Sequence, residues 1–259
     1  MRFIVSPAKK MNVVDDSLPW RDRPAFLEHT RTLAQAVGSL CYDEAKALWQ
    51  CSDTLAELNF ERFRYMDLEA ATLTPAILAY EGIQYQHLAP QVMESAQLAY
   101  LQEHLRILSG FYGVLRPFDG VVPYRLEMQA KLAVDGCSNL YDYWGPVLYE
   151  TLAAEADVIV NLASVEYAKV VLPHAAAAVK QGLPASRIVT CLFGALDASG
   201  RLVQRSTAAK AARGSMVRWC AEQGVQCVED LREFDVMGYA FDAKRSDERC
   251  FVFACDIMR

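Results

Sequence analysis

The stretch Leu108–Met128, LSGFYGVLRPFDGVVPYRLEM, sets Arg116, Asp119, Tyr124, Arg125 and Glu127 among glycines and prolines. Two guanidiniums offer planar forks for phosphate oxygens, while the two carboxylates could instead pair with them in an internal network. Gly110, Gly113, Pro117, Gly120 and Pro123 predict an irregular but conformationally restricted segment, which would present these side chains with little disorder. Three more stretches carry similar chemistry. SPAKK supplies a hydroxyl, Ser6, and an ammonium, Lys9; VIVNLASVEYAK supplies Asn161, Ser164, Glu166, Tyr167 and Lys169; AKAARG puts Lys210 and Arg213 three residues apart on one helix face. Phosphate binding is one use for these groups. Acid–base chemistry is another, with Glu127, Glu166, Asp119 and Tyr167 as the candidate catalytic groups. The plainer alternatives are a solvated turn at SPAKK, a charged helix face at AKAARG, and a structural network around Arg116 and Arg125.

The elements that must position these residues are mostly readable. RFIV predicts a strand running into SPAKK, and strand ends are where open sheets leave ligand crevices. DVIVNLAS has the short β-branched run of a strand buried on both faces. RIVTCLFGAL and RLVQRS flank DASG as a hairpin, CFVFACD closes the chain as a strand, and strands near both termini predict one common sheet. Helices are predicted for PAFLEHTRTLAQAV, for two short segments within DEAKALWQCSDTLAELNFERF with Ser52 or Asp53 as a cap, and for TAAKAARGSMVRWCAEQG. Gln91–Ser109 also predicts a helix, with Leu98, Leu101, Leu105 and Leu108 on one face and Gly110 as its C-cap. The expected class is mixed α/β (α+β), one compact domain over residues 1–259 with a central mixed sheet surrounded by helices.

Composition narrows the functions. The chain is 53% hydrophobic and 22% charged, which suits a large buried core. A net charge of −6 argues against a basic coat for nucleic acid but not against a local cationic cleft. The start, MRFIVSPAKK, lacks the apolar core of a secretory signal, and no apolar run has membrane-spanning length. With eight scattered cysteines and no CxxC pair, the expectation is a cytoplasmic protein with reduced thiols and no membrane partner. Neither the four dispersed histidines nor the cysteines propose a metal site, and no cofactor is expected.

Taken in order, SPAK, LSGFYGVLRPFD, PYRLEM, YWG, NLASVEY, KAARG and GYAF resemble the YaaA family of peroxide stress proteins, also grouped as UPF0246, nearly end to end. The resemblance implies a cytoplasmic protein of the oxidative stress response, DNA binding through a positively charged cleft, and protection of DNA from iron-dependent damage. The DNA would be double-stranded or bubble DNA, bound without sequence preference, and a nucleotide is a possible ligand. It further implies a helix-hairpin-helix-like element at about residues 43–66, using Ser52, Asp53, Asn59 and Arg62. Thr54 and Glu57 stand where that family's hairpin commonly has lysine and glycine, and the family's GDVY and KKARG read GIQY and KAARG here. Loss of the glycine removes easy access to positive φ, and Glu57 would repel a phosphate.

Two functions follow as expectations. In the first, Ser6, Lys9, Arg116, Tyr124, Arg125, Asn161, Ser164, Lys169, Lys210 and Arg213 converge on one DNA-binding groove. In the second, the same groove holds an enzyme acting on a nucleotide or nucleic-acid component. A direct iron-binding role and peroxide reduction by a cysteine both fit the residues poorly.

Overall fold

The computed structural model describes residues 1–14 and 18–256. Eight strands form one sheet: β1 (Arg2–Val5), β2 (Leu105–Ser109), β3 (Gly113–Leu115), β4 (Val158–Asn161), β5 (Arg187–Leu196), β6 (Leu202–Val203), β7 (Ala240–Phe241) and β8 (Cys250–Asp256). Their order is β7-β8-β5-β4-β1-β2-β3, and β6 pairs with β5. The five central strands are parallel, registering Phe3 on Leu105 and on Val160, Ile159 on Ile188, and Phe253 on Phe193. Antiparallel β3 and β7 finish the edges, and β6 pairs antiparallel with the end of β5. The sheet is thus mixed, as its sequence predicts, and strands near both ends of the chain share it.

Burial explains the strand assignments. Phe3, Ile4, Ile159, Val160, Phe251 and Phe253 are all fully buried, as in parallel strands covered on both faces. The helix expected over Gln91–Ser109 stops short. It runs only from Ser95 to His104, and Leu105–Ser109 is the wholly buried strand β2. A short apolar run looks the same in a buried helix and in a buried strand, and here tertiary burial decides for strand. Gly110 therefore caps no helix. A Cβ there would lie 2.6 Å from the Leu126 carbonyl oxygen, so the glycine permits two backbone segments to touch.

The following glycine- and proline-rich segment is also more regular than expected. Gly113 opens β3 with φ of 74°, and Gly120–Val121 pairs with Thr74–Pro75. The hairpin formed by β5 and β6 matches its prediction. Gly214 lies within the Ser206–Gln223 helix because that helix packs directly on the Ile83–Leu88 helix, where a Cβ would meet the Gln84 carbonyl oxygen at 2.0 Å.

Two short helices, Tyr42–Trp49 and Asp53–Arg64, occupy the segment expected to hold the helix-hairpin-helix-like element. Ser52 takes the N-cap position without a side-chain cap, and Asp53 pairs instead with Lys46. Glu57 sits inside the second helix, so no positive φ is required there and the missing glycine is no handicap. The left-handed residue is Gln50, at φ of 46°. Asn59 and Arg62 serve the packing. Asn59 donates to the Leu55 carbonyl and accepts from Arg62, which also donates to the Met11 carbonyl at 3.4 Å.

Candidate functional site

Strand order places the site. From β1 the chain steps to β2 and β3 on one side, then returns to lay β4 and β5 on the other. The order reverses between β1 and β4, and a crevice opens beyond the carboxyl ends of strands at such a point. Ser6 follows β1 and Ser164 lies just past β4. The Ser164 backbone N–H donates to Ser6 Oγ at 2.8 Å, and the two hydroxyls are 3.2 Å apart. The Ser6 carbonyl accepts from Gln84 Nε2 at 3.1 Å and from the Tyr85 hydroxyl at 3.0 Å. Ser6 thereby ties three separate segments into the floor of a cleft of about 610 Å³.

One wall comes from the stretch that opened the sequence analysis. Glu127 receives Lys9 Nζ at 2.7 Å and Arg125 Nη2 at 3.1 Å, so one carboxylate holds two cations. The Arg125 side chain is only 10% exposed, and its Nε is buried with no hydrogen-bond partner. Tyr124 supports this wall from behind, its hydroxyl 2.6 Å from Ser109 Oγ and 2.8 Å from the Tyr80 hydroxyl. Burial pushes the Tyr124 phenol up to about 12, which keeps it neutral.

The Ser206–Gln223 helix supplies the opposite wall. Lys210 is exposed, and Arg213, one turn on, carries a second buried Nε without a partner. Burial lowers the Arg213 pKa, and neither residue meets a carboxylate among the described residues. The third wall is the short helix after β4. Glu166 is partly buried and accepts from the Gln129 backbone N–H at 3.2 Å; its carboxyl pKa is raised, mainly by burial and further by nearby Glu127. Tyr167 is buried beside it and its pKa is driven well above the ordinary phenol value by that burial. At the mouth, Lys10 pairs with Glu81 at 2.8 Å.

The cleft thus gathers Ser6, Lys9, Tyr124, Arg125 and Glu127 with Ser164, Glu166, Tyr167, Lys210 and Arg213. Five of its lining side chains are cationic, Lys10 included, and three are carboxylates. A protein of net charge −6 therefore carries a locally positive recess.

Four other predicted residues lie elsewhere. Arg116 and Asp119 line a separate cavity of about 330 Å³, where Arg116 approaches Glu155 at 3.8 Å. Asp119 turns back on its own loop and accepts from the Arg116 backbone N–H at 2.8 Å. Asn161 is buried against Thr190 at 3.2 Å and accepts from the Ala163 N–H, which is structural work. Lys169 is exposed and outside the cleft. Ser52, Asp53, Asn59 and Arg62 do not line it either. Sequence reasoning missed Lys10, Glu81, Gln84, Tyr85 and Ser206 as lining residues. Lys10 stood within SPAKK, and Gln84 and Tyr85 within GIQY, but nothing in GIQY announces a bond to a strand end 78 residues away.

No group of three or more His, Cys, Asp or Glu suited to a metal ion occurs among the described residues. All eight cysteines are free thiols, and no described helix is long and apolar enough to cross a membrane.

Fold and cleft together define a mixed α/β protein with a cation-lined crevice at the switch point of its sheet. The family described as peroxide stress protein YaaA matches residues 1–245. A UPF0246 protein of Desulfitobacterium hafniense is 47% identical over 253 residues, covering 98% of this chain and 97% of that protein. A UPF0246 protein of Pediococcus pentosaceus is 48% identical with the same coverage, and one of Lachnoclostridium phytofermentans is 46% identical, covering 98% and 96%. The chain belongs to the YaaA peroxide stress protein family.

Proposed function

We propose that this protein serves the peroxide stress response by binding DNA in the cleft, gripping backbone phosphates without reading sequence. The observation that carries the reading is that Arg125 and Arg213 line one cleft with Lys210, and that Arg213 and Lys210 meet no carboxylate there among the described residues. Guanidinium and ammonium groups that no carboxylate neutralises are available to phosphate oxygens. Lys9 and Lys210 add charge toward solvent. Such binding releases cations condensed on the phosphates. Iron held there would be displaced as well, which links the contact to less iron-dependent damage. The two helices at 42–64 offer a second contact through Arg64, the exposed cation in the last turn of the second helix.

Fluorescence anisotropy on duplex and bubble DNA across a salt series tests the reading. Affinity should fall steeply with salt and vary little with sequence. No binding at the lowest salt would refute it.

A second reading, an enzyme acting on a nucleotide or nucleic-acid component, is favoured by Glu166. A half-buried carboxyl whose pKa is raised by burial, beside Lys9 and Glu127, suits proton transfer better than phosphate tracking. Turnover of nucleotides or damaged DNA, abolished in Glu166→Gln, would establish it. Absence of turnover across a broad screen would remove it.

A further inference from the structure

A groove that only follows a DNA backbone needs cations along an open surface. This cleft has more than that. It is a recess of about 610 Å³, a volume typical of small-molecule sites, and much of its wall is apolar, from Pro7, Ile83, Leu126 and Val165. Two polar side chains meet these walls with capacity to spare. Gln84 is buried and uses its amide nitrogen on the Ser6 carbonyl, which leaves its Oε1 as a free acceptor. Glu166 accepts from the backbone N–H groups of Gln129 and Met128, and a carboxylate has further lone pairs to offer. An amide acceptor and a carboxyl beside apolar walls match the edge and faces of a heterocyclic base, and the Arg213 and Lys210 cations, which meet no carboxylate among the described residues, match its phosphate.

We infer that the cleft is a receptor for one nucleotide unit, its phosphate held by Arg125, Arg213 and Lys210 and its base read by Gln84 and Glu166. The inference rests on the cleft being the anion site, and it adds the ligand class. The unit is either a free mononucleotide or an unpaired nucleotide of DNA, since both present the same chemistry. The switch-point location supports it independently of charge, because a crevice beyond the carboxyl ends of the strands where their order reverses is where open α/β sheets bind ligands.

Titration calorimetry of the full chain with dAMP, dCMP and inorganic phosphate tests the inference. A second arm uses a 2-aminopurine oligonucleotide, with the probe either paired in a duplex or facing a gap. At least one mononucleotide should bind about tenfold or more tightly than inorganic phosphate. Glu166→Gln should change nucleotide affinity about fivefold or more and leave phosphate affinity unmoved, while Arg213→Met should weaken both. A fluorescence rise for the unpaired probe assigns the unit to DNA; a silent probe with tight mononucleotide binding assigns it to the free pool. Equal affinity for phosphate and for every nucleotide overturns the inference. So does duplex DNA binding with neither mononucleotide affinity nor a probe response, although the DNA reading then survives. Mononucleotide binding without DNA binding leaves the inference standing and removes the DNA reading instead.

Discussion

The Ser164 backbone N–H donates to Ser6 Oγ at 2.8 Å, joining residues 158 positions apart at the ends of two adjacent parallel strands. Because the acceptor is a side chain and the donor is backbone, the two serines are not equivalent. Ser6→Ala leaves a part-buried N–H unpaired and should destabilise the protein by about 1–3 kcal/mol. Ser164→Ala keeps that N–H bonded and should cost under about 1 kcal/mol. Urea denaturation of both variants decides the matter, and equal losses would mean that the bond does not organise the cleft.

Arg213 should trade stability for binding. Its Nε is buried, unpaired and desolvated, so Arg213→Met should raise stability by about 1–3 kcal/mol. The same change should reduce DNA affinity and flatten the logarithmic salt slope by about 1. Thermal unfolding and anisotropy on one preparation supply both numbers. A variant that is less stable and binds normally would make Arg213 a packing residue only.

Asp119 gives the clearest pH signature. Burial lifts its carboxyl to about 7 in the folded chain, against about 4 for an unfolded aspartate. Between those values the native state binds the extra proton, so stability is highest below about pH 4 and falls as pH rises through 7. Asp119→Asn preserves an acceptor for the Arg116 N–H and removes the ionisable group. The variant should match the parent near pH 4.5 and exceed it by roughly 2–4 kcal/mol at pH 8. Chemical denaturation at both pH values tests this, and a pH-independent difference would show that Asp119 titrates normally.

Gly214→Ala attacks the cleft through its scaffold. The added methyl would lie 2.0 Å from the Gln84 carbonyl oxygen, forcing apart two packed helices that both carry lining residues. A loss of about 2–4 kcal/mol is expected, together with weaker ligand binding. Unchanged melting would imply that the helices separate freely.

How much of this was legible beforehand can be argued from particular residues. The strands ending at Ser6 and Asn161 announced themselves by β-branched runs followed by turn-forming residues, so two pillars of the cleft could be read directly. Lys210 and Arg213 shared a face because helical spacing puts them there. Arg116 and Asp119 misled because residue type was legible and direction was not. Their turn closes on itself through two hydrogen bonds between the same residues, at 2.8 and 3.1 Å, and aims away from Arg125. The strand Leu105–Ser109 hid inside a helix prediction, since total burial erases the periodicity that separates the two. Above all, the reversal of strand order between β1 and β4 is a property of pairing across more than 150 residues, and no local pattern encodes it.

The Ser206–Gln223 helix bears on the life of the chain as well as on its chemistry. Ser6 leaves the ribosome early, but Arg213 arrives only when about four-fifths of the polypeptide has been made. A nascent or prematurely terminated product would hold the serine floor and the Arg125 wall with nothing opposite them. The proposed ligand capture would therefore need a chain extending past Arg213, since a shorter one lacks that guanidinium.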